Sequence, residues 1–501
     1  MSEQTIPLRE HLVNLKSCRH GGLIQETSEK YGIPEAEILD FSANYNPLGS
    51  PFEYPKSGLD LDTILQKTLY KLREYPDNRY LEYRKAAAGF VGKGEVSAEN
   101  IIPGNGSTEI IRLVVECMLE KGDEVIIPAP TFGEYEVQCR ILGAKILQPD
   151  VETLEAVSDE MLERAKILFL CNPNNPTGKL LLREKVEKLA KRCEAHKTLL
   201  YVDEAFIDLS DPAQTVADLA TKSNYVFVMR SLTKAFYMPG VRMGFGIASS
   251  EMAKALDKAR LSWNLGALAN TMGTTFLNLE GGTQNPYLRE ARTLILEEGK
   301  KLKARLDRIR GFEAGEVNVN YILVNISGCM MDSVELSERL ASHGVLVRDC
   351  SSFPSLGKAY IRVAVRPAEE NKRLISAIGD VITEWGQDRS KEELRQVIKK
   401  ASEKGTSGGR QTCEYYPCHF EGQDCTFCFC PFYPCKDPRT DGKWVKSSRG
   451  EQVWSCVDCY YVHKKEIVRQ ILDCLMQDGE TEELLKLAWK KVMEPLLEGK
   501  N

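Results

Sequence analysis

An α/β protein of several units is what this sequence predicts: a large domain built on a mixed α/β sheet, a small α+β domain, and a cysteine-rich module near the end. Three observations predict it. The chain has 501 residues, more than one hydrophobic core organises. Between residues 100 and 250, short apolar runs alternate with amphipathic helical patterns, as in sheets whose strands are joined by helices. Nine of the 16 cysteines fall between Cys413 and Cys474, and the other seven are scattered.

The elements follow in order. Residues 1–40 carry mixed charges (Arg9, Glu10, Lys16, Arg19) and no apolar stretch of signal-peptide length, so they read as an N-terminal arm and a cytoplasmic location is expected. The large domain is expected over 41–285. In it Glu124 to Ile127, Ile167 to Leu170, Thr198 to Val202 and Tyr225 to Val228 read as buried strands, and Glu109 to Lys121 and Arg183 to His196 as helices. A helical pattern from Glu290 to Arg310 opens a small domain over 286–386, which the N-terminal arm is expected to join, with strands at Tyr321 to Val324, Gly344 to Arg348 and Tyr360 to Val363 and a closing helix that ends near Trp385. Residues 387–411 turn from charged to Gly405-Thr406-Ser407-Gly408-Gly409 and read as a flexible linker. The cysteine-rich module takes 412–463 and a final helix 464–501. Lys and Arg number 66 against 72 Asp and Glu, a net charge of −6, which gives no electrostatic case for nucleic acid or membrane as partner. Anion recognition must therefore be local.

Lys234 carries the most chemistry. It stands in Ser231-Leu232-Thr233-Lys234, just past an apolar strand, with Arg242 following. A lysine amine in that place can bond covalently to a coenzyme aldehyde. Pyridoxal phosphate also needs a phosphate anchor, a partner for its pyridine nitrogen and a group on its ring face. Gly106-Ser107-Thr108 opens a helix whose N–H groups suit a phosphate, although Ser107 would serve equally as a plain helix cap. Ser231 and Arg242 can add bonds to the same phosphate. Asp203, at a strand end, can keep the pyridine nitrogen protonated. Phe132 can stack on the ring, and Asn175 can reach the ring oxygen. Ligands of open α/β sheets gather at the carboxyl ends of strands, so these positions are expected to converge.

Together, Gly106-Ser107-Thr108, Asn175-Pro176-Thr177-Gly178, Asp203-Glu204-Ala205-Phe206, Ser231-Leu232-Thr233-Lys234 and Arg242 resemble the fold type I, aspartate-aminotransferase-like superfamily of pyridoxal-phosphate enzymes. Phe206 departs from it, because many aminotransferases carry there a tyrosine that bonds the ring oxygen. The resemblance implies a homodimer with shared sites, in which Tyr75 reaches the coenzyme phosphate of the other subunit. On the substrate side, His20-Gly21-Gly22, the Asp40 to Gly49 segment with Asn44, Tyr75-Pro76-Asp77, Val347-Arg348-Asp349-Cys350 and Tyr360 to Arg366 resemble the threonine-phosphate decarboxylases of cobamide biosynthesis. Leu23 stands where that family has asparagine. The resemblance puts Arg362 on the substrate carboxylate and Arg348, with His20 and Asn44, on the substrate phosphate. Two anionic groups call for two cationic clamps, although an arginine at a strand end also serves as an ordinary ion pair. The implied reaction converts L-threonine O-3-phosphate to (R)-1-amino-2-propanol O-2-phosphate. Histidinol-phosphate aminotransferases share the coenzyme motifs and are the rival reading.

The tail reads Cys413-x4-Cys418-x6-Cys425-x2-Cys428-x-Cys430-x4-Cys435, then Cys456-x2-Cys459-x3-His463. Close thiolate pairs separated by loops are metal-ligand spacing, and zinc or an iron–sulfur cluster is expected rather than disulfides. Phe427 to Cys435 also resembles a cysteine-rich small domain regarded as metal-binding. Two tetrahedral sites are conceivable, with His463 or His419 in place of one thiolate. The module's expected role is structural, regulatory or accessory to catalysis; phosphorylation of an amino acid is one such activity, though no Gly-x4-Gly-Lys-Ser/Thr loop is present.

Overall fold

The computed structural model describes residues 10–13, 15–18, 21–92, 94–150, 157–446 and 452–499. It divides into two compact units, Met1–Ala377 and Ile378–Asn501.

In the first unit, β1 (Leu39–Asp40) is followed by β2 (Ile101–Gly104), β3 (Glu124–Ile126), β4 (Lys145–Leu147), β5 (Ala165–Cys171), β6 (Leu199–Asp203), β7 (Val226–Ser231) and β8 (Gly244–Ile247). The last seven form one sheet in the order β2-β8-β7-β6-β5-β3-β4. From β4 to β7 neighbouring strands are parallel, and β8 is antiparallel to both β7 and β2. The central strands are buried along nearly their whole length, which is why they read as continuous apolar runs. Alternate residues serve opposite faces. Leu168, Leu170, Leu200, Val202, Val226 and Val228 enter one core, and Ile167, Phe169, Leu199, Tyr201, Phe227 and Met229 the other. The helix Arg183–Ala195 covers the first through Val186, Leu189 and Ala190, and the helix Ser107–Met118 covers the second through Ile110, Ile111, Val114 and Val115.

The helix Pro286–Leu306 leads to a four-stranded antiparallel sheet of β9 (Glu313–Ala314), β10 (Tyr321–Asn325), β12 (Arg348–Asp349) and β13 (Tyr360–Ala364), in the order β12-β13-β10-β9. Between them in the chain, β11 (Val345–Leu346) pairs in parallel with β1. That pairing ties the end of the N-terminal arm to the small domain.

The expected linker over 387–411 is corrected. One helix, Ala368–Lys404, runs through most of it. Its charged residues pair along the helix, as Arg389 does with Glu393, and Leu394, Val397, Ile398 and Ala401 recur at helical spacing and pack in the core of the second unit. Charge density had hidden an amphipathic stripe. The second unit adds a hairpin of β14 (Lys443–Lys446) and β15 (Gln452–Ser455). The expected single helix over 464–501 is instead broken into Lys465–Leu475 and Thr481–Ala488, with further turns to Glu498, because Gly479 interrupts it at a φ of 153°.

Beneath the carboxyl ends of β6 and β7, Arg230 is fully buried and paired at 2.8 Å with both Glu204 and Asp208. Removing one member of a buried ion cluster strands the others. Arg230→Met is expected to lower the unfolding free energy by about 3–5 kcal/mol in denaturant titrations, and Arg183→Met at the partly exposed pair with Asp218 by less.

Candidate active site

One cavity of about 950 Å³ opens at the carboxyl ends of the large sheet. Ser107, Thr108, Phe132, Asn175, Asp203, Phe206, Ser231, Lys234 and Arg242 line it, and so do Asn44, Arg348 and Arg362. The strand register makes this convergence. Cys171 of β5 stands beside Asp203 of β6, which stands beside Met229 of β7, so Asn175, Asp203 and Ser231 all leave the sheet from one edge.

Ahead of Ser107 and Thr108 stands Gly106, whose φ of 80° no other residue adopts easily; a Cβ there would come within 2.6 Å of Arg242 Nη2. Gly106 is the helix cap and makes no side-chain capping bond, so Ser107 is the first helical residue and its hydroxyl does not cap. Arg242 itself holds a left-handed backbone at φ 60°. Non-glycine residues hold that conformation where surrounding structure enforces it, often at binding sites.

Lys234 follows Ser231, which ends β7 and caps a short turn of helix. Its side chain faces the cavity, with Nζ 4.6 Å from the centre of the Tyr45 ring. Enclosure by protein lowers the amine to about 8, with the positive charges of Arg362 and Arg242 acting in the same direction and Asp40 against it. Asn46 fixes the lysine's backbone: its N–H donates to the Lys234 carbonyl at 3.1 Å and its side chain to the Ala235 carbonyl at 2.8 Å. Asp203 is buried, and desolvation raises its carboxyl to about 6 despite hydrogen bonds from Tyr135 and the Ala205 N–H.

Arg348 and Arg362 occupy directly opposed positions on β12 and β13. Like charges face to face across a ladder cost stability unless an anion lies between or beside them. Arg348 donates to Ser352 Oγ at 2.9 Å and lies over the Phe353 ring. Arg362 is buried, donates to the Ser42 carbonyl at 2.8 Å and to Asn175 Oδ1, and packs over Tyr321; burial lowers its guanidinium to about 10. With the amide of Asn44 turned as its neighbours require, the Asn44 oxygen accepts from Arg362 at 3.1 Å. No carboxylate among the described residues pairs with Arg362. Asn175, expected at a ring oxygen, thus spends its own oxygen on Arg362, and its amide nitrogen is the part that can donate to a ring oxygen. Phe206 meets Tyr321 edge to face, so this position contributes packing and no hydroxyl.

Tyr75 is expected at the coenzyme of another subunit, and no second subunit is described. Tyr75 is 78% exposed and stacks on Trp263 with ring centres 4.3 Å apart. His20 lies outside the described residues. Sequence reasoning missed Tyr45, Tyr135 and Ser42. Tyr135 stands three residues beyond Phe132, in the first turn of the helix Glu134–Ile141, and its ring meets Phe132 edge to face.

In the second unit no tail cysteine is joined in a disulfide. Among the described residues, no three His, Cys, Asp or Glu side chains are gathered closely enough to hold a metal ion. Two looser neighbourhoods exist. The Cys428 thiol senses Cys425, Cys418 and Cys413, and the Cys430 thiol senses Cys459, Cys456 and Cys435. The buried Gln423 amide reaches Cys418 Sγ at 3.0 Å and Cys425 Sγ at 3.6 Å. His463 keeps different company: its Nδ1 is 3.1 Å from the Asp424 carbonyl oxygen and its ring stacks on His419.

Residues 36–378 match the family described as Aminotransferase class I and II. The chain belongs to that family. Its members use pyridoxal phosphate and are typically homodimers, and the lysine, aspartate, helix N-terminus and arginine that line the cavity fit this coenzyme. Residues 405–485 match a second family, Cysteine-rich small domain. The chain is 33% identical to the threonine-phosphate decarboxylase of Salmonella typhimurium over 378 residues, 74% of this chain and 98% of that one. It is 28% identical to the histidinol-phosphate aminotransferase of Methanopyrus kandleri, over 76% of this chain and 97% of that one. Among solved structures it resembles the histidinol-phosphate aminotransferase of Clostridium acetobutylicum (TM-score 0.61, 25% identity, 69% of this chain and all of that one). The fold is also that of the L-threonine-O-3-phosphate decarboxylase of Porphyromonas gingivalis (TM-score 0.56, 22% identity, 64% of this chain and 96% of that one). Among the described residues no helix is long and apolar enough to cross a membrane.

The lowered Lys234 amine sets a pH dependence. Only the neutral amine attacks an aldehyde, so borohydride trapping of an aldehyde on coenzyme-free protein is expected to rise with pH through a midpoint near 8. Lys234→Ala is expected to lose that labelling, together with the near-visible absorbance that pyridoxal phosphate acquires on the wild-type protein.

Proposed function

We propose that this protein is a threonine-phosphate decarboxylase, converting L-threonine O-3-phosphate to (R)-1-amino-2-propanol O-2-phosphate for the cobamide nucleotide loop. The observation that carries the proposal is the opposed pair Arg348 and Arg362 in the same cavity as Lys234 and Asp203. A substrate with a carboxylate and a phosphate satisfies both guanidinium groups at once. The 33% identity to a threonine-phosphate decarboxylase over nearly its whole length supports that choice of substrate.

Pyridoxal phosphate, when bound, supplies a sink for the electron pair released at Cα. The protein's own groups do the rest. Ser107, Thr108, Ser231 and Arg242 would hold the coenzyme phosphate, Asp203 a proton at the pyridine nitrogen, and Phe132 the ring face. Lys234 presents an amine that is partly neutral near physiological pH and can return a proton to Cα. Arg362 would hold and orient the substrate carboxylate, and Arg348, with Asn44 and His20, would hold the substrate phosphate. Tyr75 would complete the phosphate site of a second subunit in a cytoplasmic homodimer.

The aminotransferase reading is favoured by the histidinol-phosphate aminotransferase relatives, which share the coenzyme residues. Incubation with threonine phosphate decides between them. Release of carbon dioxide without any 2-oxoacid is expected; a requirement for 2-oxoglutarate, with glutamate formed, would select transamination. Arg348→Met is expected to raise KM for threonine phosphate by about 10- to 100-fold, the loss of charge-assisted hydrogen bonds worth about 1.5–3 kcal/mol.

For the tail we propose two thiolate sites, Cys413 with Cys418, Cys425 and Cys428, and Cys430 with Cys435, Cys456 and Cys459, each closing around zinc or an iron–sulfur cluster. The two neighbourhoods and the Gln423 amide on two sulfurs support this division, in which His463 is not a ligand. The bound metal would stabilise or regulate the enzyme or serve an accessory reaction. Metal analysis of protein purified under reducing conditions is expected to find bound zinc or iron, and Cys428→Ser to lower the content without emptying it. Metal-free protein that remains folded would end the proposal.

A further inference from the structure

We propose that Tyr135 is a positioning residue of the coenzyme site, its hydroxyl donating to Asp203 Oδ2 so that Asp203 stays the carboxylate partner of the pyridine nitrogen. This rests on the reading of Asp203 given above.

Tyr135 lies in the helix Glu134–Ile141, fully buried, stacked on Phe169 with ring centres 5.0 Å apart and edge-on to Phe132 at 5.6 Å. One side chain therefore braces both the residue proposed for the ring face and the one proposed for the ring nitrogen. Asp203 Oδ1 accepts from the Ala205 N–H at 2.9 Å, and Oδ2 accepts from Tyr135. Each carboxylate oxygen accepts about two bonds, so room for a pyridine N–H remains.

The other titratable groups around Asp203 are Cys171, Tyr201, Tyr321 and Glu204. Burial pushes the thiol and both phenols upward, so they stay neutral. The Cys171 thiol goes to the Pro173 carbonyl and the Tyr321 hydroxyl to the Asn174 carbonyl. Glu204 is held by Arg230 and Thr215. Among the described residues the buried Tyr201 hydroxyl has no hydrogen-bond partner. Among the described residues Tyr135 is thus the side chain that donates to Asp203.

A buried carboxylate that loses a donor becomes more basic. A proton shared between a pyridine nitrogen and that carboxylate then moves toward the carboxylate, and the ring becomes a weaker electron sink. Tyr201 provides the control, since its hydroxyl is equally deep and reaches no partner.

The test follows the isotope-labelled pyridine nitrogen of bound coenzyme by NMR across pH, in the full chain and in Tyr135→Phe, Tyr201→Phe and Asp203→Asn. The expected result for Tyr135→Phe, which keeps the ring and its packing, is a nitrogen signal moved toward the unprotonated position and a kcat lower by about tenfold with little change in KM. Tyr201→Phe is expected to match wild type. A wild-type signal in Tyr135→Phe, or an equal displacement in Tyr201→Phe, overturns the proposal. If Asp203→Asn moves the signal and Tyr135→Phe does not, Tyr135 alone is excluded. If Asp203→Asn leaves it unmoved, the reading of Asp203 falls and takes the proposal with it.

Discussion

The lateral register of β5, β6 and β7 constrains everything at the site, because these parallel strands stop at nearly one level and release their loops over one edge. Cys171 beside Asp203 and Asp203 beside Met229 bring the Asn175 loop, the carboxylate and the Ser231 to Lys234 turn together. In strands buried on both faces a slip of one residue would exchange the two cores, sending Phe169, Tyr201 and Phe227 to the side packed by Leu168, Val202 and Val228. The apolar pattern therefore locks the positions of the polar groups. A cavity of such groups is affordable only because the sheet beneath it is so well filled.

Charge inside that cavity is held away from its usual balance. Lys234 is lowered toward the neutral amine, Asp203 is raised, and Arg362 is buried with amide and carbonyl oxygens as its acceptors. All three displacements arise from desolvation, and all would be relieved by an anionic ligand that brings a ring nitrogen, a phosphate and a carboxylate. The opposed arginines of β12 and β13 point the same way, since they set two guanidinium groups across one ladder at the cavity. Local preference has been given up at the place where a ligand can restore it.

The second unit follows another logic. Its helices bury Ile471, Leu472, Leu475, Ala488 and Met493 against Leu394 and Ala401 of the long helix, so part of this unit has an ordinary apolar core. The cysteine-bearing loops have much less, and their thiols sit in two groups not drawn to ligating distance. Metal would supply there what apolar burial does not.

The sequence by itself determined the α/β class, the strands β5 to β7, the polar residues that line the cavity and the crowding of cysteines, because each rests on local patterns: apolar runs, turn residues after them, and fixed spacings. Phe132, Asn175, Asp203, Ser231 and Lys234 were legible as residues at or just past strand ends, and Arg242 as a charge following Lys234. Tertiary structure alone decided the rest. The pairing of Arg348 with Arg362 depends on the register of two strands, the bond from Tyr135 to Asp203 joins a helix to a distant strand, and the continuity of the helix to Lys404 depends on an apolar stripe finding its core. Those are contacts between segments far apart in the chain, and local spacing does not record which distant residue a buried group will meet.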